Sequence, residues 1–154
     1  MTLEPFVDRI NRQRWLVVLA SSVFALIVFR AAWLADDAYI TLRTVDNFVN
    51  GYGLTWNVSE RVQAYTHPLW MFLLSTFYLV TREAYYTTIA VSLSVSVATV
   101  VLICRQARTT LTGICAVLIL CTSRSYVDYS TSVLENPLTH LVLAVYAYIL
   151  SANR

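Results

Sequence analysis

Two adjacent carboxylates, Asp36 and Asp37, are the residues of this sequence whose type and spacing best suit chemistry. One carboxylate is enough to cap the positive end of a helix. Two neighbouring carboxylates repel each other unless they share a proton, a cation or a hydroxyl group. The pair directly follows a long apolar stretch, where the head group of a lipid-linked molecule would lie. We therefore treat it as a candidate for a general base or a cation site, with helix capping as the alternative.

The segment that follows the acidic pair has the pattern of an amphipathic helix. Apolar residues such as Leu42 and Val45 recur at three- to four-residue spacing, which predicts a helix over about 37–50. Asp36 is the expected N-cap of this helix. Gly51 is the expected glycine just beyond its C-terminal end. This helix would therefore hold both carboxylates in or next to its first turn.

A short apolar run at 69–81 follows, directly after Pro68. Apolar runs of about 10–14 residues more often lie at the membrane interface than cross the bilayer. We therefore expect 36–83 to form one long loop outside the membrane, with a second interfacial helix at about 69–81. The alternative is that this run crosses the bilayer, which would invert the orientation of everything after it.

The composition predicts a membrane protein. Apolar residues make up 58% of the 154 residues and charged residues 13%, about half the charged fraction of a soluble protein. A helix needs about 20 predominantly apolar residues to cross a bilayer. Four segments reach or approach that length, which predicts an all-α polytopic fold with transmembrane helices at 15–35, 84–104, 109–127 and 136–153. The net charge of +2 forms no basic stripe, so the expected partner is the lipid bilayer and not nucleic acid.

Arginines set the expected orientation. Three arginines in the N-terminal segment 1–14 keep that segment in the cytoplasm under the positive-inside rule. With 69–81 at the interface, Arg105 and Arg108 are cytoplasmic as well, and the acidic residues of the loop face outward. A cleaved signal peptide is the alternative for the first segment, but cleavage after Ala35 would put Trp33 where a small residue is required. We expect an uncleaved anchor in a bacterial cytoplasmic membrane.

Several motifs of the outer loop come in a fixed order: paired acids, an amphipathic helix, Gly-x-Gly and Glu-Arg-Val. The residues concerned are Asp36-Asp37-Ala38-Tyr39-Ile40-Thr41-Leu42-Arg43, Asn47, Gly51-Tyr52-Gly53-Leu54, Asn57, Glu60-Arg61-Val62 and Tyr65-Thr66. This order resembles the first outer loop of the bacterial GT-C glycosyltransferases, multi-spanning enzymes that use polyprenyl-phosphate sugars. Within that family it is similar to the arabinofuranosyltransferases of mycobacterial cell-wall assembly. A weaker similarity lies in Ser132-Val133-Leu134-Glu135, where the relatives tend to have Ser-Gly-x-Glu and this chain has Val133 in place of the glycine.

The resemblance implies that Asp36 and Asp37 are the catalytic acids on the extracytoplasmic face. Transfer of a sugar, with arabinofuranose as a candidate, needs a base for the acceptor hydroxyl. It also needs positive charge or oriented donors for the leaving phosphate. We expect Asp36 to be the base and Asp37 its positioning or metal-sharing partner, and the reverse assignment stays open. If a divalent metal ion is used, this pair would hold it.

Five further residues are candidates for binding the substrate: Arg61, Tyr39, Arg43, His67 and Glu135. Arg61 is the expected phosphate ligand because it lies inside the matched motif. Each has a structural alternative, since arginines and aromatic residues also anchor helices at the interface and a lone histidine is often structural. The acceptor would be a glycan, lipid or protein of the cell envelope.

Other classes of protein stay open. A non-enzymatic membrane scaffold or assembly subunit could use the acidic loop to bind a partner protein. A transporter is less favoured, because no predicted span carries paired ionisable residues at its midplane. If the chain is an enzyme, it is either a fragment or a short paralogue. We expect it to need the remainder of a full-length protein, and to catalyse nothing by itself.

Overall fold

The computed structural model of the chain describes residues 4–60, 62 and 64–152, with the side chains of the first helix described from Trp15 onward. In that part of the chain every regular element is a helix, which confirms the all-helical class. The helices are α1 (Glu4–Arg30), α2 (Asp36–Val49), α3 (Pro68–Thr81), α4 (Tyr85–Gln106), α5 (Thr110–Thr122), α6 (Arg124–Tyr129) and α7 (Asn136–Ala152).

The N-terminal end of α2 differs by one residue from the expectation. Ala35 is the N-cap, with extended backbone (φ −71°, ψ 150°) and no side-chain hydrogen bond to the helix. Asp36 is already the first helical residue, so the capping role expected for it is wrong. Both carboxylates lie in the first turn, where the helix dipole favours negative charge without a capping hydrogen bond.

The C-terminal end of α2 is closed by glycine. Gly51 has a φ of 84°, in the left-handed region that glycine adopts without strain. Its N–H donates to the carbonyl oxygen of Phe48 at 3.1 Å, and the N–H of Tyr52 donates to that of Asn47 at 2.9 Å. These two bonds form a Schellman motif, which ends the helix at the place where the glycine predicted it.

The segment predicted as one helix over 109–127 forms two. Helices α5 and α6 meet at Ser123, whose backbone is extended (φ −74°, ψ 101°). The hydroxyl of Ser123 accepts from the N–H of Tyr126 at 3.4 Å and so caps α6. A serine side chain competes with the helix for backbone groups in this way, and the polar run Thr122-Ser123-Arg124-Ser125 marks the place in the sequence.

The first apolar segment, predicted over 15–35, is helical only as far as Arg30. The backbone then runs irregularly to Ala35. Two hydrogen bonds fix this stretch to the region just before α7. The indole N–H of Trp33 donates to the carbonyl oxygen of Asp128 at 2.9 Å, and the N–H of Ala35 donates to that of Ser132 at 3.1 Å.

Two clusters of buried apolar residues organise the helices. We call the first the Trp70 cluster; its buried members are Ala38, Leu42, Val45, Trp70, Met71, Leu74, Val91 and Val133. We call the second the Phe24 cluster; its buried members are Phe24, Val28, Val100, Cys104, Val117 and Val127. Helix α4 belongs to both, with Val91 in the first and Val100 in the second. It therefore joins the layer formed by α2 and α3 to the layer formed by α1, α5 and α6.

One described helix, α4, is long and apolar enough to cross a membrane, judged by length and composition. The apolar helices that are shorter than this are Trp15–Arg30, Pro68–Thr81, Thr110–Thr122 and Asn136–Ala152. The predicted four-span arrangement therefore stays a prediction. The last predicted span, 136–153, ends one residue beyond the described part of the chain, which stops at 152.

Candidate active site

The acidic pair lies at the exposed N-terminal end of α2. Each carboxylate is the first residue of a different stripe, that is, a row of residues along one face of the helix. Residues three, four and seven apart share one face of an α-helix. Asp37 is four residues before Thr41, which is buried against α3 and its preceding segment. Asp36 is three residues before Tyr39 and seven before Arg43, both exposed. Neighbouring residues are about 100° apart around an α-helix, so the two acids begin adjacent faces of α2. The Asp36 face continues to the exposed Tyr39 and Arg43, and the Asp37 face continues to the buried Thr41.

On the Asp37 side, His67 joins two parts of the chain that are distant in sequence. Its Nδ1 lies 3.2 Å from Oε2 of Glu135 and 3.1 Å from the hydroxyl of Thr66. Its Nε2 lies 2.9 Å from the hydroxyl of Thr41. The imidazole side chain is only 13% exposed, while that of Glu135 is 46% exposed.

These contacts place the imidazole between two hydroxyl groups and a carboxylate. Nδ1 lies within ion-pair distance of Glu135 and within hydrogen-bond distance of Thr66, and Nε2 lies within hydrogen-bond distance of Thr41. A hydroxyl group can donate or accept, so Thr41 and Thr66 fit either tautomer of a neutral imidazole. The imidazole thus links Glu135 to a hydroxyl on the same helical face as Asp37.

The turn before α7 places Glu135. Val133 in this turn has a φ of 69° and is fully buried. Its carbonyl oxygen accepts from the indole N–H of the buried Trp70 at 2.7 Å. A β-branched residue in the left-handed region is strained, by an amount on the order of 1–2 kcal/mol. The resemblance suggested a glycine at this position, and the left-handed backbone gives a physical reason for one.

An apolar groove opens beside His67 and Glu135. Its cavity volume is about 300 Å³, and it runs between the start of α3 and α7. The groove is lined by His67, Pro68, Leu69, Trp70, Glu135, Leu138, Thr139, Val142 and Leu143. Its walls are mainly aliphatic, with the histidine and the glutamate as the charged or titratable groups at one end. This arrangement suits a chain-like apolar ligand that carries a polar head.

On the Asp36 side, Arg43 is held by the loop that follows α2. Its Nε donates to the carbonyl oxygen of Trp56 at 3.0 Å, and its Nη2 donates to Oδ1 of Asn57 at 3.3 Å. The guanidinium carbon lies 4.7 Å from the centroid of the Trp56 ring. Tyr39, one turn earlier on α2, is 53% exposed. Arg43 therefore fixes the loop as well as presenting a positive charge.

The structure brings together some of the predicted site residues and not others. His67 and Glu135 form one group, and Tyr39 and Arg43 lie on the other side of α2. Arg61, the expected phosphate ligand, lies outside the described residues. The described residues contain no group of three His, Cys, Asp or Glu side chains that could hold a metal ion.

Two residues of this site were not singled out for it by the sequence analysis. Thr41 is one of several threonines in the chain, and only its buried position one turn after Asp37 and its contact with His67 distinguish it. Trp70 is one of several aromatic residues in the chain, a type that is common at membrane interfaces. Its indole N–H is instead buried and bonded to Val133, which aligns the turn that carries Glu135.

Two curated proteins are similar to part of this chain, and both are named terminal β-(1→2)-arabinofuranosyltransferase. The protein from Mycobacterium tuberculosis is 44% identical over 61 residues, which is 39% of this chain and 10% of that protein. The protein from Corynebacterium glutamicum is 38% identical over 68 residues, which is 44% of this chain and 10% of that protein. The chain spans about a tenth of the length of each relative. No protein-family model matches the chain, and no solved structure matches it.

Proposed function

We propose that this chain carries the acidic pair of a membrane glycosyltransferase of the GT-C type. The enzyme moves a sugar from a polyprenyl-phosphate donor to a cell-envelope acceptor on the extracytoplasmic face. Arabinofuranose is the sugar favoured by the names of the two similar proteins. The observation that carries the proposal is the contact of Thr41, one turn after Asp37 on α2, with His67 of the His67–Glu135 pair beside an apolar groove.

The chemistry follows from where the groups lie. The groove takes the part of the lipid chain next to the phosphate, because aliphatic walls cost nothing to an apolar chain and would penalise a charged one. The sugar then projects toward the N-terminal end of α2. The acceptor oxygen attacks the anomeric carbon, and the bond from that carbon to the phosphate oxygen breaks. The bonding electrons leave with the polyprenyl phosphate.

Asp36 takes the proton from the acceptor hydroxyl, because it starts the stripe of α2 that faces away from the groove. Asp37 shares a face with Thr41, next to His67, and positions the donor sugar. In the arrangement that we propose, α1, α4, α5 with α6, and α7 cross the membrane. Helices α2 and α3 then lie at its outer interface. Basic residues at the cytoplasmic ends support this orientation.

The catalytic test replaces each acid by its amide. We expect Asp36→Asn to lower sugar transfer about 10²–10⁴-fold, the usual effect of losing a general base. Because the chain is expected to catalyse nothing by itself, transfer is measured in membranes that contain the full-length protein, with a radiolabelled polyprenyl-phosphate arabinofuranose donor. Asp128→Asn is the matched control, since the Asp128 side chain pairs with Arg124 of its own helix α6. Near-normal transfer by both Asp36→Asn and Asp37→Asn would reduce the pair to a feature of the helix terminus.

The topology test asks on which side of the membrane α4 ends. A Gln106→Cys variant is made in a background without Cys104, Cys115 and Cys121. In the proposed arrangement α3 does not cross, so the new thiol is cytoplasmic and an impermeant maleimide added outside does not label it. Labelling from outside intact cells would show that α3 crosses, and it would invert the proposed orientation of α4 to α7.

A further inference from the structure

A second cavity lies on the other side of α2 from the apolar groove. It is an open cleft of about 710 Å³ between α2, the loop after it and the start of α4. Its principal side chains are Tyr39, Arg43, Asp46, Trp56, Glu83 and Tyr85. Three of these are aromatic and three are charged, in contrast to the aliphatic walls of the groove beside His67.

The charged side chains of the cleft differ in which of their hydrogen-bonding atoms are free to bind a ligand. Glu83 accepts from the backbone N–H groups of Tyr85 and Tyr86 at 2.9 and 2.8 Å, so it serves the start of α4. Asp46 accepts from the Tyr78 hydroxyl at 2.6 Å and from Asn50 at 2.8 Å, both on Oδ1. Among the described residues no hydrogen bond to its Oδ2 is found. That oxygen can therefore accept from a hydroxyl group of a ligand.

The remaining groups add a donor and flat apolar surfaces. Arg43 donates from Nε and Nη2 to the neighbouring loop, and in the described residues Nη1 makes no further hydrogen bond. Tyr39 exposes 53% of its surface and Tyr85 40%. Exposed aromatic rings give large apolar contact area at low entropic cost. Donor, acceptor and ring faces thus line one cleft.

A carbohydrate is the ligand class that this combination fits. A sugar ring has an apolar face of C–H groups that packs on an aromatic ring, and an edge of hydroxyls that donate to carboxylates and accept from guanidinium groups. A lipid chain would leave the charges of the cleft without water or partner, which costs free energy. The cleft is also wide and open, as binding part of a longer chain requires.

We propose that this cleft binds the acceptor glycan, with Tyr39 as the stacking platform and Asp46 and Arg43 as hydroxyl ligands. The proposal rests on the proposed glycosyltransferase function. Asp36 starts the stripe of α2 that runs through Tyr39 and Arg43, so an acceptor lying along this cleft presents its end to that carboxylate. Donor and acceptor thereby reach the acidic pair from different sides of one helix.

The test measures glycan binding in the absence of donor. The protein in lipid nanodiscs is titrated with an arabinofuranosyl hexasaccharide, and binding is followed by saturation-transfer NMR. We expect Tyr39→Ala to weaken binding by about three- to tenfold, the usual effect of one aromatic contact. Asp46→Asn keeps an acceptor for Tyr78 but turns the free oxygen into a donor, and we expect at least a comparable loss. Tyr39→Phe keeps the ring and should bind nearly as the wild type does.

Tyr52→Ala is the matched control, because Tyr52 is an exposed aromatic residue of the same loop that does not line the cleft. Equal binding by wild type, Tyr39→Ala and Asp46→Asn would overturn the proposal, and so would an absence of hexasaccharide binding to the wild type. Failure of the enzymatic function is read separately, from sugar transfer by the full-length wild-type protein. If the wild type transfers sugar but the variants bind the hexasaccharide normally, only the proposed role of the cleft is refuted. If the variants bind the hexasaccharide weakly but the wild type transfers no sugar, only the proposed enzymatic function is refuted.

Discussion

The Trp70 cluster and the Phe24 cluster are held together in different ways. Around Trp70, polar side chains tie distant segments together, as in Trp70 to Val133 and Tyr78 to Asp46. Around Phe24, contacts between apolar side chains and rings predominate. The ring of Tyr126 lies 5.8 Å from that of Phe24 and 4.8 Å from the imidazole of His140. The Tyr126 hydroxyl and Nδ1 of His140 are buried, and neither has a hydrogen-bond partner in the described residues.

This difference indicates which layer can hold the side chains of a site in a defined geometry. Hydrogen bonds are directional, so the ties around Trp70 define the position of the turn that carries Glu135 to within a narrow range. Helices of both layers also expose large apolar side chains, among them Leu26 on α1 and Val80 on α3. Apolar faces of this kind suit lipid or further helices, and they set no precise geometry. The candidate site accordingly lies on the Trp70 side.

The largest expected effect comes from removing Trp70. Trp70 is fully buried, and a buried Trp→Ala change costs about 3–5 kcal/mol of unfolding free energy. We expect Trp70→Ala to abolish the Glu135 geometry as well, since the Val133 carbonyl loses its donor. Trp70→Phe isolates that hydrogen bond and should cost about 1–3 kcal/mol. Stability is measured by denaturant titration in detergent micelles.

Trp15→Ala is the matched change in the other layer. Trp15 exposes 73% of its surface on α1, so its loss should alter stability by no more than about 0.5 kcal/mol. Similar losses for the two tryptophan-to-alanine variants would mean that the Trp70 cluster has no special role in stability.

A smaller effect is expected from the bond between Tyr78 and Asp46. The hydrogen bond to Asp46 raises the pKa of Tyr78 above its ordinary value of 10, and burial adds to this. A raised pKa in the folded state means that the neutral phenol is favoured there. The stability from this bond is therefore complete below pH 10, and it is lost as the pH rises through the higher pKa of the folded state.

The Tyr78→Phe variant should lose about 1–2 kcal/mol near pH 7. It should also lack the part of the alkaline destabilisation that comes from Tyr78. Unfolding free energies at pH 7 to 11 for wild type, Tyr78→Phe and the control Tyr52→Phe check this. A wild type and a Tyr78→Phe variant whose stabilities fall in parallel above pH 10 would contradict the assignment.

The spacing of apolar residues predicted much of the helical structure near the site. Where it failed, the reason is physical. Helix α2 lies where the apolar spacing predicted a helix, because one face packs on α3 and the other meets solvent. The break between α5 and α6 was missed because one span was predicted through the polar run 122–125, in which Ser123 caps the next helix. The His67–Glu135 contact joins segments far apart in sequence. It depends on the tertiary position of the turn before α7, which no local pattern encodes.

The smallest effect, and the most specific, is expected at Val133. This residue is buried in the Trp70 cluster with a φ of 69°. Val133→Ala removes two methyl groups but keeps a Cβ in the left-handed region. Val133→Gly removes the Cβ as well, which relieves about 1–2 kcal/mol of backbone strain in the folded state. Part of this gain is offset because glycine loses more backbone entropy on folding. We therefore expect the glycine variant to be more stable than the alanine variant by about 1 kcal/mol.

Val91 provides a control at which the stability difference between the glycine and alanine variants should have the opposite sign. It is buried in the same cluster but lies inside α4, where glycine is less favourable than alanine by about 1 kcal/mol. Denaturant titrations of the four variants give one difference at each position. Because both positions are buried and both changes remove the same atoms, the two differences isolate the backbone conformation. If glycine is the less stable residue at 133 as well as at 91, the turn before α7 is not left-handed at Val133. Strain in that turn would then have no part in placing Glu135 beside His67.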